Sequence, residues 1–312
     1  MAASVAYLFP GQGAQFVGMG KDLYEEYASA RQVFEEADQA LGFSLSGLCF
    51  SGPEEDLRRT LNTQPAILAT SYACLRVAQE LGLLSQDEPP GFMAGHSLGE
   101  YTALAAAGVL SFGEAIRLVR ERARLMDEAG TARPGSMAAV LGMDEQALEA
   151  VCQETGVEMA NINSPGQIVI SGAKDALAKA MELASARGAR RVLPLEVSAA
   201  FHSRLMEPAN EGIAKAVAGV TFQKAQVPII ANSTAQPVVT SQEVKEELLR
   251  QLCSPVRWQS SVEYMLEHGV AQFIEIGPGK VLTGLAKRIN GDVKTVNLSD
   301  VPSLRELQSS SA

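Results

Sequence analysis

A chain of 312 residues that is 46% hydrophobic, 20% charged and 5% aromatic holds enough apolar material for a sizeable core and does not suit a disordered or collagen-like polymer. At roughly 150 residues per domain, its length suggests two domains or one large domain carrying an insertion. The 26 Lys and Arg against 36 Asp and Glu leave a net charge of −10, which repels a phosphate backbone and argues against nucleic acid as a partner. The longest apolar stretch, Ala103–Leu110, falls well short of the roughly 18 residues of a membrane-spanning helix. The first basic residue, Lys21, follows the apolar Val5–Phe9 run, so no secretory leader is expected and the cytoplasm is the expected compartment.

In chain order, Val5–Phe9 reads as a buried strand stopped by Pro10-Gly11, with helical signal resuming near Lys21. Phe92–Ala94 predicts a second strand. It enters Gly95-His96-Ser97-Leu98-Gly99 and then a helix from Glu100 to Ala107, stopped by Gly108. Strand, sharp turn and helix form the unit of a parallel α/β sheet, which Val227–Ala231 and Val270–Ile276 extend. Between them the rhythm changes. Met137–Leu141, Val157–Ile162, Gln167–Ile170 and Arg190–Leu195 predict strands, with helices over Glu145–Glu154 and Asp175–Arg187 and a turn at Ser164-Pro165-Gly166. That β-α-β-β-α-β order is ferredoxin-like. The expected fold is therefore an α/β protein with a large catalytic domain over 1–132 and 199–312, a small domain over 133–198 and a functional cleft between them. The tail Ser303–Ala312 is expected to fray.

The motif G-x-S-x-G at Gly95–Gly99, between a strand and a helix, suits a nucleophile elbow that presents the Ser97 hydroxyl. A serine needs a base. His96 adjoins Ser97 and its side chain diverges from it, so it suits a pocket wall better. His268 precedes the helix-stopping Gly269, a structural position. His202, on a loop where the small domain rejoins the large one, is the expected base. No acid between Ser97 and His202 stands out as a third member, and a backbone carbonyl holding the imidazole is an equal alternative. The three histidines have no metal-binding spacing, and Cys49, Cys74, Cys152 and Cys253 form no C-x-x-C pair. No metal or other bound cofactor is expected.

A helix over Phe112–Ala129, opened by Ser111 and Glu114 at capping-box spacing, carries Arg122 in the middle of its apolar stripe. Two explanations suit a guanidinium there: a buried ion pair, or a clamp for an acyl group with a free carboxylate. The loop Gly11-Gln12-Gly13-Ala14-Gln15 lacks the phosphate-loop spacing but can offer backbone N–H groups to an oxyanion.

Together with Gln64-Pro65-Ala66, Asn163-Ser164-Pro165-Gly166-Gln167, Phe201-His202, Gln251-Leu252, Pro255-Val256 and Gly277-Pro278-Gly279, these motifs resemble malonyl-CoA:acyl-carrier-protein transacylases over nearly the whole chain. The resemblance implies an α/β-hydrolase-like domain with a ferredoxin-like insertion. It implies that Ser97 attacks the malonyl thioester, His202 takes its proton, and the N–H groups of Gln12 and Leu98 form the oxyanion hole. Arg122 would hold the malonyl carboxylate, the main-chain carbonyl of Gln251 would orient His202, and His96, Phe201, Asn163 and Gln64 would line the substrate pocket. The Phe201-His202 pair resembles malonyl-selective members, whereas Ser254 departs from the Asn that many relatives carry. The implied partners are malonyl-CoA and acyl carrier protein, coenzyme A entering only as a thioester substrate, with a monomer expected. Carriers of this kind are usually acidic. A docking patch would then need local basic residues, either Arg187, Arg190 and Arg191 or Arg117, Arg120 and Arg124. The alternatives are a malonyltransferase acting in trans on a polyketide synthase, a serine carboxylester or thioester hydrolase, and a non-catalytic carrier-binding scaffold.

Overall fold

A computed structural model describes residues 4–84 and 89–311, with side chains up to 309. Its strands are β1 (Ser4–Phe9), β2 (Phe92–Gly95), β3 (Gly135–Leu141), β4 (Glu158–Ser164), β5 (Gln167–Ala173), β6 (Arg191–Pro194), β7 (Ile229–Ile230), β8 (Pro237–Val238), β9 (Val270–Ile276) and β10 (Lys294–Leu298). One sheet has the order β10-β9-β1-β2-β7-β8 and is parallel except for the edge strand β8. The other, β4-β5-β3-β6, is antiparallel and drawn wholly from the segment 135–194.

The β1 run is apolar on both faces because both faces are covered. Tyr7 and Phe9 pack into the larger core cluster, whereas Ala6 and Leu8 join Trp258, Val262 and Phe273 on the opposite side. A parallel strand buried on two sides loses the alternation of a half-exposed one. The small sheet packs Ala138, Val140, Ile168 and Ile170 against Leu148, Val151, Leu177 and Ala180 of its two helices, Glu145–Thr155 and Lys174–Ala186. The predicted elements here agree with the observed ones to within about three residues at each end.

The helix Phe112–Ala132 opens with the predicted capping box and buries Ala115, Leu118, Val119, Arg122, Leu125, Met126 and Ala129. It packs on the helix Thr60–Glu80, which carries Pro65 in its second turn. Proline has no N–H for the carbonyl four residues back. That carbonyl, Leu61 O, instead accepts from Arg120 Nη1 at 2.6 Å. A basic residue suggested for docking is therefore engaged in repairing a helix.

Two expectations need correction. The strand predicted over Val227–Ala231 is only two residues long, because the chain turns at Asn232 and returns as β8, with Ala231 N–H donating to Gln236 O at 2.9 Å. The tail expected to fray is a helix from Val301 to Ser311; Ala312 lies outside the described residues. Asp300 Oδ1 accepts from Ser303 N–H at 2.9 Å, Val301 N–H donates to Asp22 at 2.7 Å, and Val301 and Leu304 are buried against the core. Two buried aliphatic anchors and a satisfied N-terminus outweigh the low propensity of the serine run.

Candidate functional site

The site lies at the carboxyl ends of β1, β2 and β7, the usual position for ligands in an open parallel sheet. After β2 the chain makes a turn that only glycine permits at two points. A Cβ on Gly95 would stand 1.9 Å from the carbonyl of Gly99, and one on Gly99 would stand 2.1 Å from Phe9 O of the neighbouring strand. Between them Ser97 takes φ 52°, a left-handed conformation that serine occupies only when its surroundings enforce it. Those surroundings are specific. Ser97 N–H donates to Asn232 Oδ1 at 2.7 Å, and Ser97 O accepts from Gln251 Nε2 at 2.9 Å. The helix Gly99–Ala106 begins directly after.

His202 also has a positive φ, 56°, and brings Nε2 to 2.7 Å from Ser97 Oγ. Its Nδ1 faces two main-chain oxygens, Gln251 O at 3.0 Å and Ser254 O at 3.2 Å. Carbonyls only accept, so Nδ1 carries the proton and Nε2 presents its lone pair to the serine hydroxyl. The ring is thus oriented by backbone where no acid stands, and Ser254 contributes its carbonyl, not its side chain, to that contact. Burial, then the positive charge of Arg122, push the imidazole down to about 3.

Arg122 is 1% exposed and reaches the same point from the Phe112–Ala132 helix. Nη1 donates to Gln64 Oε1 at 2.7 Å, and Nη2 donates to Ser97 Oγ at 3.1 Å and Gln251 Oε1 at 3.0 Å. The guanidinium lies 5.3 Å over the Tyr101 ring. Its Nε is buried without a partner, and no ion pair among the described residues includes it. The buried-ion-pair reading of this arginine therefore lacks its acid.

These groups face a cavity of about 120 Å³ lined by Gln12, Gln64, His96, Ser97, Leu98, Arg122, Phe201 and His202, with Met137 of β3 and Asn161 of β4 from the small sheet. Every proposed site residue is at or beside it. Asn163 Oδ1 pairs with His96 Nε2 at 2.8 Å, and Gln251 stands behind Arg122 and His202. Burial lowers the His96 imidazole below its usual range. His268 is elsewhere, stacked on Tyr264 at 3.9 Å. Of the suggested basic residues, Arg124 pairs with Glu121 and Glu128 and Arg187 with Glu154, whereas Arg190 and Arg191 are exposed. Among the described residues no cluster of three or more His, Cys, Asp or Glu side chains is placed to hold a metal ion.

Sequence reasoning missed Asn232 and Asn161 and, although Glu100 closes the Gly95–Glu100 motif, gave that acid no role. Asn232 follows a strand too short to predict. Glu100 looks like an ordinary first-turn acid, but it is 1% exposed. A β-bridge from Asn161 to Val256 also ties the small sheet to the loop that orients His202, with Ile162 N–H donating to Val256 O at 2.9 Å.

The fold and this geometry together define an α/β protein of the acyl-transfer class. The sequence model of the family described as "Acyl transferase domain" matches residues 6–303. A curated relative from Bacillus subtilis (strain 168), "Malonyl CoA-acyl carrier protein transacylase", is 49% identical over 303 residues, covering 96% of this chain and 94% of that protein. Among solved structures, an acyl carrier protein S-malonyltransferase from Vibrio cholerae has a TM-score of 0.94 at 47% identity over 98% of this chain and 100% of its own. A malonyl-transacylase in complex with a type II polyketide synthase acyl carrier protein has a TM-score of 0.94 at 43% identity, covering 99% and 100%. The chain belongs to the acyl transferase family and, within it, to the malonyl CoA-acyl carrier protein transacylases.

Proposed function

We propose that the protein transfers a malonyl group from malonyl-CoA to the phosphopantetheine thiol of an acyl carrier protein through a malonyl ester on Ser97, supplying extender units for fatty acid synthesis. The observation that carries this reading is a buried guanidinium 3.1 Å from Ser97 Oγ that is held by amides and has no ion-pair partner among the described residues. Such a group is left to pair with a carboxylate brought in by the substrate.

In the first half-reaction Ser97 Oγ attacks the thioester carbonyl while His202 Nε2 takes its proton across 2.7 Å. The N–H groups of Gln12 and Leu98 receive the developing oxyanion. The carbon–sulfur bond then breaks, and the imidazolium returns its proton to the leaving thiolate. In the second half the carrier thiol gives its proton to His202, attacks the ester and regenerates Ser97. Both acyl bonds are thioesters, so the exchange is close to balanced.

Arg122 contributes twice. It orients the acyl group, and it tunes the base. Burial and the Arg122 charge both depress His202, and a bound malonyl carboxylate neutralises the second cause. The correct substrate thus raises the basicity of His202 as it binds, a response an acetyl group does not produce. In a hydrolase, water would compete for the ester; the narrow cavity and the pinned acyl group favour the thiol.

We also read residues 133–198 as a ferredoxin-like domain inserted into an α/β-hydrolase-like domain formed by 1–132 and 199–312. The sheet order β4-β5-β3-β6 and the parallel order around β1 support this. A cytoplasmic setting fits the reaction. Likeness to the complex with a polyketide carrier favours one further reading, service to a polyketide synthase in trans through the same site. Intact mass after mixing with malonyl-CoA or acetyl-CoA, then with either kind of carrier, tests the proposal. A malonyl adduct discharged by a carrier supports it, and no adduct refutes it.

A further inference from the structure

The buried acid nearest to Arg122 does not touch it. Glu100 opens the helix after the serine turn and is 1% exposed, as are Gln251 and Arg122. Between acid and guanidinium lies the Gln251 side chain. Its Oε1 accepts from Arg122 Nη2 at 3.0 Å, while its Nε2 donates to Glu100 Oε2 at 3.0 Å and to Ser97 O at 2.9 Å. Glu100 Oε2 also accepts from Asn232 N–H at 3.1 Å, and Asn232 in turn holds Ser97 N–H.

An amide can sit either way round, and here its neighbours decide. Arg122 only donates, the Ser97 carbonyl only accepts, and Glu100 Oε2 acts as acceptor toward two N–H groups. A single orientation satisfies all three, with the amide oxygen on Arg122. The reversed amide would set an NH2 group against a guanidinium and face Glu100 with a second acceptor. Burial and the neighbouring Glu247 raise the Glu100 carboxyl well above its usual range. Oε2 nevertheless accepts whether the carboxyl is ionised or carries a proton on Oε1.

We propose that Glu100 is a positioning residue for acyl selection: it fixes the Gln251 amide as a neutral spacer that holds Arg122 in place without a direct ion pair, leaving the guanidinium for the substrate's carboxylate. This rests on the malonyl-transfer reading above. An acid in direct contact with Arg122 would have to be displaced by every substrate; an amide oxygen is a weaker competitor. The spacer also links acyl selection to the nucleophile, since the same amide nitrogen clamps the carbonyl of Ser97.

The test measures kcat/KM for acylation of Ser97 from malonyl-CoA and from acetyl-CoA in the wild type, Glu100→Leu, Glu100→Gln, Gln251→Leu and the double variant Glu100→Leu/Gln251→Leu, with melting temperatures. In Glu100→Leu the malonyl-to-acetyl ratio falls about tenfold or more, the size of one orphaned buried polar partner. Glu100→Gln keeps a carbonyl oxygen where Oε2 stands, so its ratio stays within about threefold of wild type. Because Glu100 acts through Gln251, the double variant matches Gln251→Leu alone in this ratio. A folded Glu100→Leu protein with an unchanged ratio, or an additive double variant, overturns the inference. Where Glu100→Leu fails to fold, Gln251→Leu decides: a fallen ratio supports the spacer and an unchanged one rejects it. A wild type that takes no malonyl group refutes the proposed function itself, whereas an active wild type with insensitive variants rejects only the role of Glu100.

Discussion

Replacing Arg122 by alanine separates the two roles proposed for its guanidinium. In the free pocket it already has three acceptors, Gln64 Oε1, Ser97 Oγ and Gln251 Oε1, so an acetyl group leaves it with partners. Discrimination therefore comes mainly from what malonyl gains, not from a penalty on acetyl. Truncating one partner of a buried charged pair costs about 2–5 kcal/mol. At 1.4 kcal/mol per decade, the malonyl-to-acetyl ratio of kcat/KM falls by roughly 30-fold to somewhat over 10³-fold. Orphaning the two glutamine oxygens lowers stability and slows both thioesters alike, so it cancels in the ratio. Removing the charge also removes one of the causes depressing His202, and acetyl transfer should hold or rise relative to malonyl. Arg122→Lys restores part of the preference, because an ammonium lacks the planar fork. The assay is single-turnover acylation followed by mass, with both thioesters and all three proteins. An unchanged ratio in Arg122→Ala would refute the clamp and reduce Arg122 to a structural residue.

Ser97→Ala should keep its melting temperature and acquire no malonyl adduct; a surviving adduct reassigns the nucleophile. His202→Ala should slow acylation by about 10²-fold or more, as loss of a general base does, while His268→Ala should not; equal losses count against His202. With His202 held near 3, initial acylation rates should show no inflection near pH 6.5, and a unit-slope fall centred there contradicts the assignment. The same depression has a stability consequence with a definite sign. Between about pH 6.5 and 3 the unfolded chain binds a proton that the native one excludes, so stability falls with acid by up to about 1.4 kcal/mol per unit. Urea titrations should show that this share of the slope is missing in His202→Ala, and identical slopes would argue against a buried neutral imidazole. Gly95→Ala places a methyl 1.9 Å from the Gly99 carbonyl, so it should cost about 1–3 kcal/mol or more and cut activity; an unshifted melting temperature would contradict the turn geometry.

What the sequence made legible was local. The nucleophile turn is visible because a strand, two glycines and a helix follow one another directly over residues 92–106, and the Arg122 anomaly is visible because a charge interrupts a stripe of period 3.6. The capping box at Ser111 and Glu114 belongs to the same class of signal. The partners of these residues come from far along the chain, and no local pattern says which of them meet. Asn232 is 135 residues from Ser97, and Gln251 is 129 from Arg122 and 151 from Glu100. The tail helix was misread for a related reason: its serines speak for fraying, and the burial of Val301 and Leu304 exists only once the rest of the core is folded.

Arg120 and Arg122 show how far spacing alone can carry the distinction between structure and function. They lie two residues apart on one helix, so they point in different directions, and both reach back to the helix Thr60–Glu80. Arg120 ends on the Leu61 carbonyl that Pro65 leaves unpaired, beside Asn62 and over the Phe43 ring, with every contact internal to the fold. Arg122 ends on two amide oxygens and a hydroxyl at the edge of a cavity, with Nε unpartnered. Burial does not separate a structural arginine from one at a ligand site, and neither does the number of acceptors, two for Arg120 against three for Arg122; what separates them is whether the guanidinium ends inside the packed fold or on a cavity wall. By that criterion Arg122 differs from Arg120 because it faces the cavity beside Ser97, where the carboxylate of the proposed substrate would enter.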